Sequence, residues 1–404
     1  MLYLHRIFNF TTMEQTWNSP IIVTGPVATG NSYYHRPEIV EEIWQQLEKG
    51  ASILMAAPRR VGKTSVMQHL EKNPKQGYTL LFSNIEGTDS ENKFYAGLFQ
   101  LLLKCMSRSV KMKTWASQFL IKHKITEFDI KGSIALANTQ LDFLKETDEL
   151  IVEINKNFEG KIVLLLDELP TVLFNLYKKG IEGVESILEN LRRWRQSTEK
   201  IRFVFAGSVG LHYVVQMTTG RSSSLNDLVK INCAPLDKSE ISSYINWATN
   251  GATVQYNPEL KKYLADKIAY FVPFYINLML SETDRIARKK NNPVIEKADI
   301  DEAFNRILKN NDHFSDWSSR LSTYMSSADF SFVNELLTHI SHKNKISMQE
   351  IYDKAVKHNK TTNYMDYIQD LEQDGYITKS GQNQVFVSPF LKTFWLRKNP
   401  VYNG

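Results

Sequence analysis

Ser52-Ile53-Leu54-Met55-Ala56-Ala57-Pro58-Arg59-Arg60-Val61-Gly62-Lys63-Thr64-Ser65 is the stretch whose reading decides the fold. Ser52 to Ala56 is an apolar, strand-like run and Ser65 to Glu71 has helical spacing, so the residues between them form a loop from a strand end to a helix start. Gly62, Lys63 and Thr64 match the end of the pattern G-x-x-x-x-G-K-[ST]. In that pattern backbone N–H groups wrap phosphates, the lysine reaches the outer phosphate oxygens and the hydroxyl ligates Mg2+. Ala57 stands in place of the first glycine, which requires that the backbone there avoid positive φ or that a methyl be tolerated near the phosphate. The helix opening at Thr64 would aim its N-terminal dipole at the anion beside the Lys63 charge. A chance Gly-Lys-Thr is the bland alternative, and the strand before and helix after argue against it. Ala57, Pro58, Arg59, Arg60, Val61, Gly62, Lys63, Thr64 and Ser65 are therefore the expected nucleotide-binding residues.

A second motif fits the first. Lys161 to Leu166 is an apolar run ending in Asp167-Glu168, the pattern of a buried parallel strand that delivers charge at its C-terminal edge, where open α/β sheets bind ligands. Asp167 is expected to hold Mg2+ through water, with Thr64 as the other metal ligand, and Glu168 to orient and deprotonate the attacking water. A buried strand with a capping acid is the ordinary alternative. Ile201 to Gly207 gives another strand, and Ser208 after it is either a γ-phosphate sensor or a turn serine. Asn84 and Glu86 reach the same edge and are weaker candidates for holding Glu168 out of line.

Together these motifs resemble the archaeal-type ATPase group within the STAND and AAA-like branch of P-loop NTPases. The carrying residues are Pro58 to Ser65, Leu166-Asp167-Glu168, Gly207-Ser208 and the upstream Gly30 to Glu38. Trp317 to Leu321 and Val387 to Trp395 extend the likeness downstream, so that it runs from about Gly25 to Lys398. The resemblance implies an ATP-dependent switch made of a nucleotide core, a helical lid and a winged helix. It also places the segment Tyr34 to Glu38, with Arg36, against adenine. The chain has Arg36-Pro37-Glu38 where Arg-Glu is usual, and Phe271-Val272-Pro273 where the lid usually carries Gly-x-Pro, with Pro273 the expected contact. Such ATPases often complete their site with an arginine from a neighbouring subunit. Arg221 has the matching place, which keeps a homo-oligomer open beside the plainer reading of a surface arginine.

A chain of 404 residues fits two or three domains, and its 42% hydrophobic and 23% charged content is that of an ordinary globular protein. A net charge of +5 over this length does not by itself argue for nucleic acid. Cys105 and Cys233 lie far apart and away from metal-ligand spacing, which suits a reducing compartment. No apolar run approaches the ~18 residues of a membrane span, so a cytoplasmic protein is the default expectation. Met13 serves equally well as a start.

Alternation of strand and helix through the first half predicts a parallel sheet with helices on both faces. The expected organisation is an N-terminal extension at 1–20, a P-loop core at 21–233, a helical lid at 234–310, a linker at 311–327 and a winged helix at 328–404. Between Lys104 and Lys131 a basic stretch with Trp115 and Phe119 reads as a solvated face or, less favoured, a nucleic-acid or acidic-partner surface. Three short helices and a hairpin turning at Ser380 to Asn383 make the winged helix. Its third helix would be the DNA reader, yet it carries Asp366, Asp370, Glu372 and Asp374 and no Lys or Arg. Acids facing phosphates oppose binding, so a protein-contact or regulatory role is favoured over DNA. The leading function is an Mg2+-dependent ATPase switch; the alternatives are an ATP-gated DNA-binding regulator and an ATP-dependent oligomerising signalling or defence scaffold.

Overall fold

A computed structural model describes residues 16–106, 117, 141–180, 183–207, 211–219 and 223–402. Helix α1 (Pro37–Glu48) precedes β1 (Ser52–Ala56), α2 (Lys63–Lys72), β2 (Tyr78–Asn84), α3 (Glu91–Met106), α4 (Phe143–Asn157) and β3 (Lys161–Asp167). These are followed by α5 (Leu169–Lys178), α6 (Val184–Ser197), β4 (Ile201–Phe205), α7 (Leu211–Thr219) and β5 (Leu228–Asn232). The strands pair in parallel in the order β2-β3-β4-β1-β5. Strand β4 thus separates the strand leading to the Gly-Lys-Thr loop from the strand carrying the acids. Asn84 is in register with Asp167 and Ala56 with Asn232, which puts the polar strand ends on one edge.

Alternate residues of each strand face opposite layers, as the pleat requires. Ile53, Met55, Val163 and Val204 pack beneath α1 and α2, whereas Leu54, Leu164, Leu166 and Phe205 pack with α3 to α7. The first layer continues without a break into the C-terminal half. There α8 (Ile241–Ala248), α9 (Pro258–Ile268), α10 (Pro273–Lys290) and α11 (Lys297–Lys309) form the helical lid. Asn257 caps α9 by accepting from the Leu260 N–H, and Asn291 ends α10 at φ 49°.

Helix α12 (Ser315–Tyr324) occupies most of the stretch expected as a linker. Beyond it lie α13 (Ser327–Lys343), β6 (Ile346–Ser347), α14 (Met348–Lys357), α15 (Tyr364–Gln373), β7 (Ile377–Ser380), β8 (Asn383–Phe386) and α16 (Pro389–Lys398). The small antiparallel sheet β6-β8-β7 with its helices is the winged helix. The architecture is the expected one: a parallel P-loop sheet with helices on both faces, a helical lid and a C-terminal winged helix.

Candidate functional site

The loop after β1 is held from inside. Lys63 is buried, and its ammonium donates to the carbonyls of Ala57 and Pro58, each at 3.1 Å. The left-handed residues of the loop are Arg60, at φ 63°, and Gly62, at φ 102°; Ala57 is not among them. The alanine in place of the usual first glycine therefore carries no backbone strain. Burial pushes the Lys63 pKa down, while Cys233, Asp167 and Glu168 nearby act the other way.

Across the β4 strand, Asp167 and Glu168 arrive where the sequence places them. The Thr64 hydroxyl donates to Asp167 Oδ2 at 2.6 Å, and Asp167 Oδ1 accepts from the Glu168 N–H at 3.1 Å. Burial raises the Asp167 pKa, opposed by the bond from Thr64. Glu168 sits at φ 68°, a left-handed turn that non-glycine residues seldom adopt and that occurs preferentially at functional sites. The Thr171 hydroxyl donates to Glu168 Oε2 at 2.7 Å and accepts from the Tyr324 hydroxyl at 3.3 Å.

These groups line one cavity of about 360 Å3. Its walls include Arg59, Arg60, the Gly62 to Ser65 turn, Glu86, Asp167 and Glu168; Pro273, Phe274 and Asn277 of the lid; and the strap Val23 to Ala28. The volume is within the range of small-ligand pockets. Asn277 fastens strap to lid by donating to the Val23 carbonyl at 2.9 Å while accepting from the Tyr244 hydroxyl at 2.8 Å. Just before the strap, Trp17 and Ser19 both donate to Asp284 of α10.

Sequence reasoning missed the strap and Asn277. A lone amide in the otherwise apolar Phe274 to Leu280 run was the available signal, because a buried amide must find partners.

The two loop arginines face the lid and α12. Arg60 donates to the His313 carbonyl at 3.2 Å, and its guanidinium lies 3.9 Å from the Phe274 ring centre. Asp316 lies 3.5 Å from Arg59 and 3.6 Å from Arg60. Arg59 Nη1 is buried and has no hydrogen-bond partner among the described residues. An orphaned donor on a cavity wall fits an anionic ligand, whose oxygen would satisfy it.

The winged helix touches the back of this loop. Gly375 packs against Pro58, and the end of α15 lies over Ala57, Pro170 and Gly207 through Gln373 and Asp374. Lys230 of β5 donates to Gln373 Oε1 at 3.4 Å. Two acids of the would-be reading helix therefore turn inward. Burial raises Asp374 to about 6, offset by the Arg320 and Lys63 charges. Burial and the neighbouring Asp374 and Asp366 raise Asp370 to about 7, offset by Lys230.

The remaining candidates fall elsewhere. Pro273 lines the cavity. Arg36 does not, because its guanidinium donates to the Ala234 carbonyl at 2.6 Å, and Tyr34 packs on Tyr244 and Trp247; Val23 to Ala28 line the cavity instead. Ala57 and Pro58 contribute carbonyls to Lys63 rather than a wall of the main cavity, and Val61 is buried beneath it. Asn84 accepts from the Glu86 N–H in a local turn. Ser208 and Arg221 lie outside the described residues, as does most of the basic stretch with Trp115 and Phe119. Among the described residues no helix is long and apolar enough to cross a membrane, and no group of three His, Cys, Asp or Glu side chains could hold a metal.

No family model matches the chain, and no curated protein matches it. Among solved structures it is similar to a Walker-type ATPase of Pyrococcus abyssi, at 16% identity and a TM-score of 0.60, over 92% of this chain and 98% of that one. Other neighbours are the ORC2 protein of Aeropyrum pernix, at 13% identity and a TM-score of 0.48 over 90% and 94% of the two chains, and Cdc6p from Pyrobaculum aerophilum, at 13% and 0.43 over 94% and 98%. The first likeness carries the fold, that of a Walker-type P-loop ATPase.

Proposed function

We propose that the chain binds ATP with Mg2+ and hydrolyses it to ADP and phosphate as the resetting step of a conformational switch. The observation that carries this reading is the convergence of Lys63, Thr64, Asp167 and Glu168 on one cavity whose wall also holds an Arg59 donor without a partner among the described residues.

The residues divide the work. Lys63 and the Gly62 to Ser65 amides bind the phosphates, with Arg59 and Arg60 adding charge at the outer end. Thr64 and Asp167 are adjacent oxygen donors of the kind Mg2+ takes alongside phosphate oxygens and water, and they would hold it. The ion, when bound, supplies neutralisation of the polyphosphate charge. Glu168 accepts a proton from the water that attacks the γ-phosphorus as the bond to the bridging oxygen breaks. The strap Val23 to Ala28, Pro273 and Asn277 enclose the base.

Switching follows from where the winged helix rests. Asp374 places negative charge near Lys63, and Gly375 leans on Pro58, so filling the loop with phosphates alters the ground on which α15 is docked. With Asp370 and Asp374 turned to the core, the acidic helix is a regulatory contact rather than a DNA reader. Tyr352, Val356 and Met365 remain exposed on the winged helix as a protein-partner face.

Calorimetric titration with Mg-ATP and phosphate-release assays test the reading. Binding is expected to vanish in Lys63→Ala, and turnover to vanish with binding retained in Glu168→Gln. Normal ATP binding by Lys63→Ala would contradict it. Light scattering with and without ATP tests for assembly.

A further inference from the structure

We propose that helix α12 restrains Glu168 through two hydroxyls, Tyr324 to Thr171 to Glu168, which makes Tyr324 and Thr171 positioning residues for the hydrolysis proposed above, on which this inference rests. Thr171 is buried, and its Oγ1 donates to Glu168 Oε2 at 2.7 Å while the Tyr324 hydroxyl stands 3.3 Å from the same oxygen. A threonine hydroxyl has one proton to give. With Tyr324 donating to it, that proton is committed to Glu168, and each bond polarises the next. Without Tyr324 the hydroxyl is free to turn back to the carbonyl of Glu168 or Asp167, three and four residues earlier, the usual alternative for a threonine in the first turn of a helix.

The direction of the pull makes this a restraint. Glu168 lines the cavity and Thr171 does not, so the bond ties the carboxylate to a group outside the cavity, at the contact between α5 and α12. It also occupies one of the lone-pair positions that would otherwise take the proton of the attacking water.

The same helix meets the site at its other end. Asp316, in the first turn of α12, lies against Arg59 and Arg60 on the cavity wall, and Tyr324 closes the last turn with its ring 4.4 Å from that of Phe174. An anion that takes the two arginines competes with Asp316 for them. Because ten helical residues move as one short rod, loosening Asp316 also shifts Tyr324. Filling the site would thereby release the carboxylate it needs.

The test is steady-state phosphate release at saturating Mg-ATP for wild type, Tyr324→Phe, Thr171→Ala, Thr171→Ser and the Tyr324→Phe/Thr171→Ala double variant, with Glu168→Gln as the baseline. Tyr324→Phe keeps the ring against Phe174, and melting curves check that each variant is folded. The expected result is a kcat raised about fivefold in Tyr324→Phe and in Thr171→Ala with KM unchanged. Thr171→Ser should return to the wild-type value, and the double variant should be no faster than Thr171→Ala. A folded Tyr324→Phe with kcat equal to or below wild type overturns the restraint while leaving the ATPase reading intact. Phosphate release at the Glu168→Gln baseline in wild type and every variant overturns both.

Discussion

Gly375 presses on Pro58 so closely that a methyl carbon added to it would lie 2.7 Å from Pro58 Cβ and 3.1 Å from the Tyr270 hydroxyl. The residue also sits at φ 78°, where a side chain is strained whatever the space. The bend after α15 is therefore built for contact with the phosphate-binding loop. Gly375→Ala should loosen the docking of α15 on the phosphate-binding loop, while the packing of Phe390 against Tyr275, Phe304 and Phe314 keeps the winged helix folded on the lid. Expected are a melting transition lowered by about 1–3 kcal/mol of stability and faster proteolysis between α11 and α13, while circular dichroism stays unchanged. An alanine variant as protease-resistant as wild type would show that the contact is incidental.

The docked acids make that contact depend on pH. Asp370, raised to about 7, faces Asp366, Asp374 and Lys230; Asp374, raised to about 6, faces Arg320 and Lys63. Undocked, both would titrate near the ordinary carboxylate value of about 4. Their pKa values are higher when docked, so docking binds protons. It is favoured in full below about pH 4 and weakens as pH rises through 6 and 7. Hydrogen exchange of the α15 amides, corrected for the intrinsic rate, should be slower at about pH 5.5 than at about pH 8. Asp370→Asn should reduce the difference, and an unaltered pH dependence in that variant would assign it to other groups.

Arg59 offers a separate test of what the cavity holds. Its Nη1 has no partner among the described residues, and its ion pair with the half-exposed Asp316 is long and therefore weak. Arg59→Ala should thus cost little stability. It should weaken ATP binding about tenfold or more, as loss of a charge-assisted bond to phosphate does, with ADP less affected. Equal weakening for both nucleotides would place Arg59 away from the outer phosphate.

Most of the fold could be read from the chain because its defining strands, β1 and β3, are unbroken apolar runs ending in chemistry. The helix α5 could not. It is buried through Leu169, Val172, Leu173, Phe174 and Leu176, so no polar face marks its period. Helix α12 lay unseen in a serine-rich stretch, and with it the partners of Arg59 and Thr171. The acids of α15 were visible as a contradiction, a reading helix without cations, but their meaning depended on which way the helix turned. Lys63, Thr64, Asp167 and Glu168 meet as their motifs require. The strap Val23 to Ala28 was silent because its tie to Asn277 is made by the Val23 carbonyl, a backbone group that any sequence could supply.

One amide joins the strap wall of the cavity to the lid, the wall that encloses the base in the function proposed above. Asn277 spends its donor on the Val23 carbonyl and its acceptor on the Tyr244 hydroxyl, whose pKa burial pushes well above the usual tyrosine value. Asn277→Leu keeps the volume but leaves a buried phenol and a carbonyl without partners, a loss of about 1–3 kcal/mol for each. The strap should lift from α10, opening the wall nearest the nucleoside while leaving Lys63 and Thr64 in place. ATP affinity is expected to fall about tenfold or more, whereas inorganic tripolyphosphate, which has no base to enclose, should bind as it does to wild type. Parallel calorimetric titrations with the two ligands separate these outcomes. If both weaken together, the substitution has disturbed the phosphate loop itself, and Asn277 does not act through the strap alone.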